Sequence, residues 1–521
     1  MALAGCRSPD VSVRRVAPAA VTADERTPAD VGAAVRTLEG NPRGPAGQEG
    51  RRQAAGRLLD LYASALLAAP GHVLQVPDGA GGTVRLRLRR GAGPAGMEPE
   101  RFVSLEQASH FVVRSEAGLV QTPGEGVPLA GTLQPMLPVT VPGPVAPQPI
   151  EGVVWAVTAV PVARGARTLD FDLYDPRVPN HGDVARPLAG DYTTPLALNV
   201  AHFTPQQRGF RGFTSSKDFA SAGIYSTEKP TADKTPLILV HGLVSSPPDL
   251  HSLIVRLERD PWVRAHYQVW FFYYPSSLPV PYSAMLLRED MEKFIHQLDP
   301  AGTHPALHRA VLVGHSMGGL LNRLTVSDGG DGYYHHFFQK PVEELQLSAA
   351  DRDLMRRTFY YRACPDVARV VFIATPHGGS RLAGGLLGKL ARLLVRVPVA
   401  VKGRITRIIT TNRSAVTTGT PLKPGSSLDS LTPRDPVIAA LRDLPTHAGV
   451  GIHLISGDRG RPGPRERSSD GVVTYTSSHL PWAESEVMVP AGHTGTLQRP
   501  ETADEVNRIL HLPDPRGGKR R

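Results

Sequence analysis

Short apolar runs separated by amphipathic segments dominate the chain from about residue 190 onward. Runs of this kind, almost fully apolar and only a few residues long, are typical of strands buried on both faces of a parallel sheet. The segments between them repeat apolar residues at helical spacing. We therefore predict an α/β domain with a mostly parallel central sheet. The predicted strands are 237–240, 269–273, 310–313, 370–374, 452–456 and 487–489, and the predicted helices lie near 249–259, 283–298, 317–326, 436–443 and 501–511.

The chain before residue 190 has a different pattern. Residues 7–50 are rich in Ala, Pro, Gly and Arg and lack apolar periodicity, which is typical of a linker. A helix with a broad apolar face follows, and from His72 to Asp175 short valine-rich runs are broken by Gly and Pro. The predicted divisions are a disordered tether (1–50), a β-rich accessory region with one N-terminal helix (51–189), the α/β domain (190–512) and a basic tail (513–521).

Composition and charge narrow the functional classes. The chain has 521 residues and a net charge of +10, but residues 378–428 alone contain nine Lys or Arg and no Asp or Glu. No aromatic residues interleave with these cations, so we predict no nucleic-acid partner. No run of 18 apolar residues exists, so no membrane-spanning helix is predicted. With two distant cysteines, Cys6 and Cys364, the sequence predicts neither a disulfide framework nor a zinc cluster.

The first six residues read MALAGC, and the last four of these resemble the box at which bacterial lipoprotein signal peptides are cut. The charged start and the apolar region of such a peptide are missing. One interpretation is a start assigned too late, with the protein anchored in the cell envelope through lipid on Cys6. The other is a chance tetrapeptide at the N-terminus of a cytoplasmic protein. An in-frame apolar segment upstream of Met1 in the gene would favour the lipoprotein interpretation, and its absence would favour the chance tetrapeptide.

Ser316 lies between an apolar run and a predicted helix with small residues in its first turn. Around it the sequence reads GHSMGG, from Gly314 to Gly319, directly after the predicted strand 310–313. Strand, sharp turn with serine at its apex, and helix is the order of a nucleophile elbow. Gly314 and Gly318 lack the Cβ atoms that would clash as strand and helix close on each other. Ser316 is therefore the predicted nucleophile.

A stabilising site for an oxyanion is predicted beside this serine. His241-Gly242-Leu243 directly follows the predicted strand 237–240. Its backbone can turn so that the Leu243 amide and the Met317 amide point at one oxygen atom.

A serine nucleophile also needs a base, and the base needs an acid that holds its tautomer. His493 lies in the loop after the last predicted strand, and Asp470 lies 23 residues earlier. The order Ser316, Asp470, His493 is the one expected for α/β-hydrolases. Asp458, at the end of the strand 452–456, is the alternative acid. Asp470 is favoured because Asp-Gly followed by Val-Val recurs in lipases of this kind.

Four segments together resemble bacterial α/β-hydrolases of the lipase and esterase group, near the GPI inositol-deacylase-like branch. They are residues 239–243, 267–272, 313–319 and 373–380. The resemblance extends over about 230–511 and leaves the region before 190 outside. It implies an α/β-hydrolase fold and serine ester hydrolysis without a cofactor or a metal, but it does not identify a substrate.

Residues 380–428 interrupt the predicted α/β-hydrolase domain and are predicted to form a helical lid. A cationic amphipathic helix can lie at an anionic membrane surface, cover an apolar cleft, or pack on the core with its charges in solvent. The apolar stripe consists of Leu386, Leu390, Leu393 and Val397, the basic stripe of Lys389, Arg392 and Arg396, and Pro398 ends the helix.

We therefore predict a serine hydrolase that cleaves carboxylic esters with an apolar acyl chain and meets an anionic membrane surface. Two alternatives stay open: an acyltransferase on the same triad, and a noncatalytic membrane-associated scaffold. His377, at a strand end, either contacts substrate or hydrogen-bonds its own loop. His335 and His336 have no further ligand spacing and predict no metal site. The sequence does not indicate an oligomeric state.

Overall fold

The computed structural model describes most of the chain. The described residues are 11–16, 28–40, 44–133 except 94 and 116, 154–202 except 166, 179–183, 185 and 186, 222–226, 230–243, 250–380 except 275 and 277, 399–417, 433, and 435–517 except 461. Cys6 and the predicted lid helix, 386–397, lie outside them. None of the described helices is long and apolar enough to cross a membrane.

The strands fall into two groups along the chain, before and after residue 200. In chain order they are β1 (Val11–Arg15), β2 (Val73–Pro77), β3 (Thr83–Arg90), β4 (Phe102–Gln107), β5 (Phe111–Ser115), β6 (Gln121–Thr122), β7 (Val127–Leu133), β8 (Val154–Ala163), β9 (Thr168–Tyr174), β10 (Gly190–Asp191), β11 (Gly223–Ser226), β12 (Thr235–Val240), β13 (Tyr267–Tyr273), β14 (Ala310–His315), β15 (Val367–Ile373), β16 (Gly451–Gly457) and β17 (Ser485–Val489).

The helices alternate with the strands in the second group. In chain order they are α1 (Pro28–Glu39), α2 (Gly44–Ala68), α3 (Thr193–His202), α4 (His251–Leu257), α5 (Pro261–His266), α6 (Val280–Leu298), α7 (Met317–Thr325), α8 (Asp331–Tyr334), α9 (Ala349–Phe359), α10 (Val399–Thr411), α11 (Pro436–Asp443), α12 (Tyr475–Ser478) and α13 (Pro500–Leu510).

The central sheet has the strand order β11-β13-β12-β14-β15-β16-β17 among the described residues. β11 pairs antiparallel with β13, and the other neighbours pair parallel. The predicted α/β architecture with a mostly parallel sheet is therefore confirmed. β13 and β14 flank β12 on opposite sides, so the strand order reverses there. Ligand sites of open α/β sheets lie at such a point, beyond the carboxyl ends of the strands.

Two apolar cores cover the two faces of this sheet. Successive side chains of a strand point to opposite faces, and in these strands the side chains on both faces are apolar. On one face Ile238 and Val240 pack with helices α6, α7 and α11. On the other face Leu237 and Leu239 pack with helices α4 and α13. The residues of the candidate site follow the carboxyl ends of β12, β14, β16 and β17.

The first group of strands builds a second sheet, in the order β2-β3-β9-β8-β7-β4. Helices α1 and α2 pack on it through a shared apolar core. α1 and β1 both lie within residues 1–50, which differs from the disordered tether predicted there. The buried side chains of α1, Val31, Ala34, Val35 and Leu38, follow helical spacing, but alanines and few large residues weaken this pattern in the sequence.

The two sheets share buried contacts. Val120, Ala156 and Leu196 belong to the same core as the helices α4 and α13 of the central sheet. Strand β10 pairs with β6, and α3 packs against β8, so pairing crosses the boundary predicted between residues 189 and 190. The Arg177 guanidinium lies 3.1 Å from the Glu258 carboxylate, and both side chains are buried.

Candidate active site

Ser316 lies at the carboxyl end of β14, in the sharp turn that leads into α7. Its backbone has φ 54° and ψ −120°, a left-handed region that a residue with a side chain rarely adopts. The Ser316 amide donates a hydrogen bond of 2.9 Å to the Ile373 carbonyl, which ties this turn to the end of β15. The structure therefore holds the Ser316 side chain above the edge of the sheet in a strained turn.

Glycines surround this turn because its neighbours leave no room for side chains. A Cβ on Gly318 would lie 2.3 Å from the Val240 carbonyl oxygen, and a Cβ on Gly314 would lie 2.7 Å from the Gly319 Cα. Both distances are shorter than a Cβ tolerates. The close approach of α7 to the ends of β12 and β14 thus depends on glycine at both positions.

His493 joins Ser316 to Asp470. The Ser316 hydroxyl lies 2.9 Å from His493 Nε2, and His493 Nδ1 lies 2.7 Å from Asp470 Oδ2. This network assigns the proton of the neutral ring to Nδ1, which donates to the carboxylate, and leaves Nε2 to accept from the hydroxyl. The backbone supports the pair, since the His493 amide donates to the Asp470 carbonyl over 3.1 Å.

Asp470 is buried and its carboxylate is held in place. Burial raises the pKa of this carboxyl, but the hydrogen bonds from His493 and from the Val473 and Val472 amides outweigh burial and lower the pKa overall. Those two amides donate to Oδ1 over 2.6 and 2.7 Å, and Oδ2 is left to face His493. The carboxylate therefore stays ionised and oriented at neutral pH.

Asp458, the alternative acid, has other partners. Its Oδ1 accepts from the Gly460 amide over 2.9 Å, and its Oδ2 accepts from the Ser468 hydroxyl over 3.3 Å. The described structure brings Asp470, and not Asp458, to the imidazole of His493.

The two predicted oxyanion donors belong to segments that adjoin Ser316. Met317 is the first residue of α7, and the amides of a first helical turn have no partner within the helix. Gly242 lies against the nucleophile, because a Cβ placed on it would be 3.1 Å from Ser316 Cβ. Leu243 follows Gly242 directly and packs on the core. The structure thus places the turn that carries the Leu243 amide beside the nucleophile.

Tyr274 holds this turn and was not identified from the sequence. Its hydroxyl donates to the His241 carbonyl over 2.9 Å, and its ring stacks on the His241 imidazole with centroids 4.4 Å apart. Burial lowers the pKa of His241 to about 4, so this ring is neutral at neutral pH. The only sequence signal for Tyr274 is its place just after a strand of the central sheet.

The other histidines singled out in the sequence lie elsewhere. His377 is buried, and neither of its ring nitrogens has a hydrogen-bond partner among the described residues, so the loop hydrogen bond considered for it is absent there. His335 Nδ1 donates to the Phe338 carbonyl over 3.0 Å, whereas His336 Nε2 faces Asp443 at 3.1 Å. Within the described part of the chain, no group of three or more His, Cys, Asp or Glu has an arrangement that could hold a metal ion.

Of the predicted lid, 380–428, the structure describes Ser380 and residues 399–417. Helix α10 lies in this part and packs on α9 through Arg404 and Arg407, whose guanidinium groups both pair with the Asp351 carboxylate. The basic and apolar stripes that predict a lid lie outside the described residues.

No protein-family model matches the chain, and no curated protein matches it. Among solved structures, the mature lipase BlEst2 of Bacillus licheniformis is similar over 55% of this chain and 97% of its own, with 16% identity and a TM-score of 0.31. Staphylococcus hyicus lipase is similar over 54% and 94%, with 14% identity and a TM-score of 0.33. Esterase B of Lactobacillus rhamnosis is similar over 58% and 82%, with 14% identity and a TM-score of 0.30.

These structures are bacterial lipases and esterases, and each is similar to little more than half of this chain. The resemblance to the GPI inositol-deacylase-like branch stays a prediction.

Proposed function

We propose that the chain is a serine hydrolase of the α/β-hydrolase fold that cleaves carboxylic esters. The observation that supports this most directly is the position of His493, within hydrogen-bond distance of both the Ser316 hydroxyl and the Asp470 carboxylate. A hydroxyl, a neutral imidazole and a buried carboxylate in this order are the parts of a triad that generates a serine nucleophile.

The reaction proceeds in two halves. Ser316 Oγ attacks the ester carbonyl while His493 Nε2 accepts its proton, and the Asp470 carboxylate stabilises the imidazolium that forms. The Leu243 and Met317 amides donate to the oxyanion of the tetrahedral intermediate. As the intermediate collapses, His493 returns the proton to the leaving alcohol and an acyl-enzyme remains. Water then attacks the acyl group in the same way, which releases the carboxylic acid and restores Ser316.

We further propose that the acyl group is apolar and reaches the site from an anionic membrane surface. The support is the segment 386–397, whose leucine and lysine/arginine stripes are separate on a helix. Substitution of Lys389, Arg392 and Arg396 by Gln should lower activity on anionic vesicles and leave activity on a soluble short ester unchanged. Equal activity on the vesicles would contradict the membrane proposal.

A fluorophosphonate probe tests the hydrolase proposal. The native protein should be labelled at Ser316, and Ser316→Ala and His493→Ala should lose labelling and activity on p-nitrophenyl esters. Ser327→Ala is the matched control, because this buried serine follows the C-terminal end of α7, the end away from Ser316, and should leave labelling intact. Absence of labelling in the folded native protein would favour the scaffold alternative, and product analysis with added alcohols separates acyl transfer from hydrolysis.

A further inference from the structure

His315 directly precedes Ser316 and is buried between two loops of the site. Its Nε2 lies 3.1 Å from the carbonyl oxygen of His493, and the two imidazole rings are 5.0 Å apart. Since a carbonyl oxygen only accepts, His315 carries its proton on Nε2 and donates it there. The backbone of the base is thereby tied to the residue next to the nucleophile.

The opposite side of His315 contacts the oxyanion turn. A Cβ placed on Gly242 would lie 3.2 Å from His315 Nδ1 and 3.1 Å from the His315 carbonyl oxygen. The Nδ1 atom has no hydrogen-bond partner among the described residues, so the ring is anchored through Nε2. One side chain therefore lies between the loop that carries His493 and the turn that carries the Leu243 amide.

The ring of His315 stays neutral. Burial, together with the neighbouring His493, lowers its pKa to about 3. A neutral donor can hold the His493 carbonyl without placing a second positive charge beside the imidazolium that forms during attack. A lysine or arginine in the same place would oppose that charge.

We propose that His315 is a positioning residue for the reaction, which holds the base loop and the oxyanion turn on Ser316 through its hydrogen bond to the His493 carbonyl. This inference rests on the proposed serine hydrolase function and adds a requirement to it. Reacting groups displaced by about 1 Å lose about 10²-fold in rate. Acylation and deacylation both use the base and the oxyanion turn, so both steps and kcat should slow together, whereas KM should stay nearly unchanged.

Two amide substitutions separate the hydrogen bond from the bulk of the side chain. In His315→Gln the amide nitrogen can reach the position of Nε2, whereas in His315→Asn the shorter amide ends near the position of Nδ1. We expect His315→Asn and His315→Phe to slow fluorophosphonate labelling about 10²-fold. His315→Gln should recover most of that loss. His251→Gln is the matched control, since His251 is also buried but lies in α4, outside the site.

Rates are measured well below the Tm of each variant, so that a loss of fold is not taken for a loss of positioning. Rescue by Gln and not by Asn supports the inference. Two results would overturn the role of His315: equal labelling of all variants, or the same loss in His315→Gln as in His315→Asn. In either case the hydrolase proposal stands as long as the native protein is labelled. A native protein that is not labelled overturns the hydrolase proposal itself, and this inference with it.

Discussion

At the scale of single residues, the acid of the proposed triad is the position that sequence reasoning alone leaves open. Asp458 and Asp470 both lie between β16 and β17, Asp458 directly after β16 and Asp470 farther along the same connection. The choice depends on how the intervening loop folds back, which brings the Asp470 carbonyl to the His493 amide and the Asp470 carboxylate to its ring. Ser316 is different, because the strand, turn and glycines that place it all lie within ten residues of it.

Asparagine at position 470 should therefore lower activity strongly, whereas asparagine at position 458 should not. Asp470→Asn presents an amide to Nδ1, and the imidazole then adopts the wrong tautomer to accept from Ser316. We expect kcat to fall about 10⁴-fold. Asp458→Asn, the matched control, should leave the kinetics of p-nitrophenyl ester hydrolysis nearly unchanged. A large loss in Asp458→Asn with an active Asp470→Asn would contradict the assignment.

At the scale of elements, the inner strands of the central sheet were predictable because each is an apolar run that needs both faces buried. The edge strand β11 (Gly223–Ser226) was missed because it is only four residues long and half of it is partly exposed. β16 (Gly451–Gly457) contains the predicted run 452–456, and β15 (Val367–Ile373) covers the predicted run 370–374 except for its last residue; both strands are fully buried. α1 was missed because its buried residues are small, and Tyr274 was missed because its role appears only when β13 lies beside β12. Local sequence patterns thus predict helices and strands. They do not predict contacts between these elements, because such contacts depend on how the elements pack.

The junction of β14 and α7 provides a test at this scale. In Gly318→Ala the new methyl group would lie 2.3 Å from the Val240 carbonyl oxygen and 2.5 Å from the His241 carbonyl oxygen. Because both are backbone atoms, the helix and the oxyanion turn must move apart. We expect the free energy of unfolding to fall by about 1–3 kcal/mol, as in overpacked cores. Activity should fall as well, and urea unfolding with ester kinetics measures both effects.

Gly403→Ala is the matched control for this substitution. Gly403 lies inside α10, and a Cβ there would meet no atom within 4 Å among the described residues. Alanine is favoured over glycine inside a helix by about 0.5–1 kcal/mol, so this variant should be slightly more stable than the native protein. A Gly318→Ala protein as stable and as active as the native one would show that the close approach of α7 is not required.

At the scale of the whole molecule, the two sheets are joined by a buried ion pair as well as by apolar contacts. Arg177, just after β9, and Glu258, just after α4, lie 3.1 Å apart, and their side chains are only 5% and 8% exposed. The Arg177 guanidinium also lies over the Tyr192 ring at 5.4 Å. Removing one partner of a pair this buried costs free energy, since the remaining buried charge loses its attraction to the other.

Arg177→Met should therefore weaken the contact between the two sheets as well as lower the free energy of unfolding. We expect the free energy of unfolding to fall by about 3–5 kcal/mol, and Arg177→Met with Glu258→Leu to recover most of this loss because no buried charge remains. Trp155 lies in the sheet of β8 and Trp270 in that of β13, so variants in which one of these is the single tryptophan left, with Trp262 and Trp482 also replaced, report each sheet separately. The urea transitions reported by Trp155 and by Trp270 should coincide when Arg177 and Glu258 are both present. They should separate when Arg177→Met is added. If the two transitions are already separate with Arg177 and Glu258 both present, the two sheets unfold independently. The proposed active site would then depend on the central sheet alone.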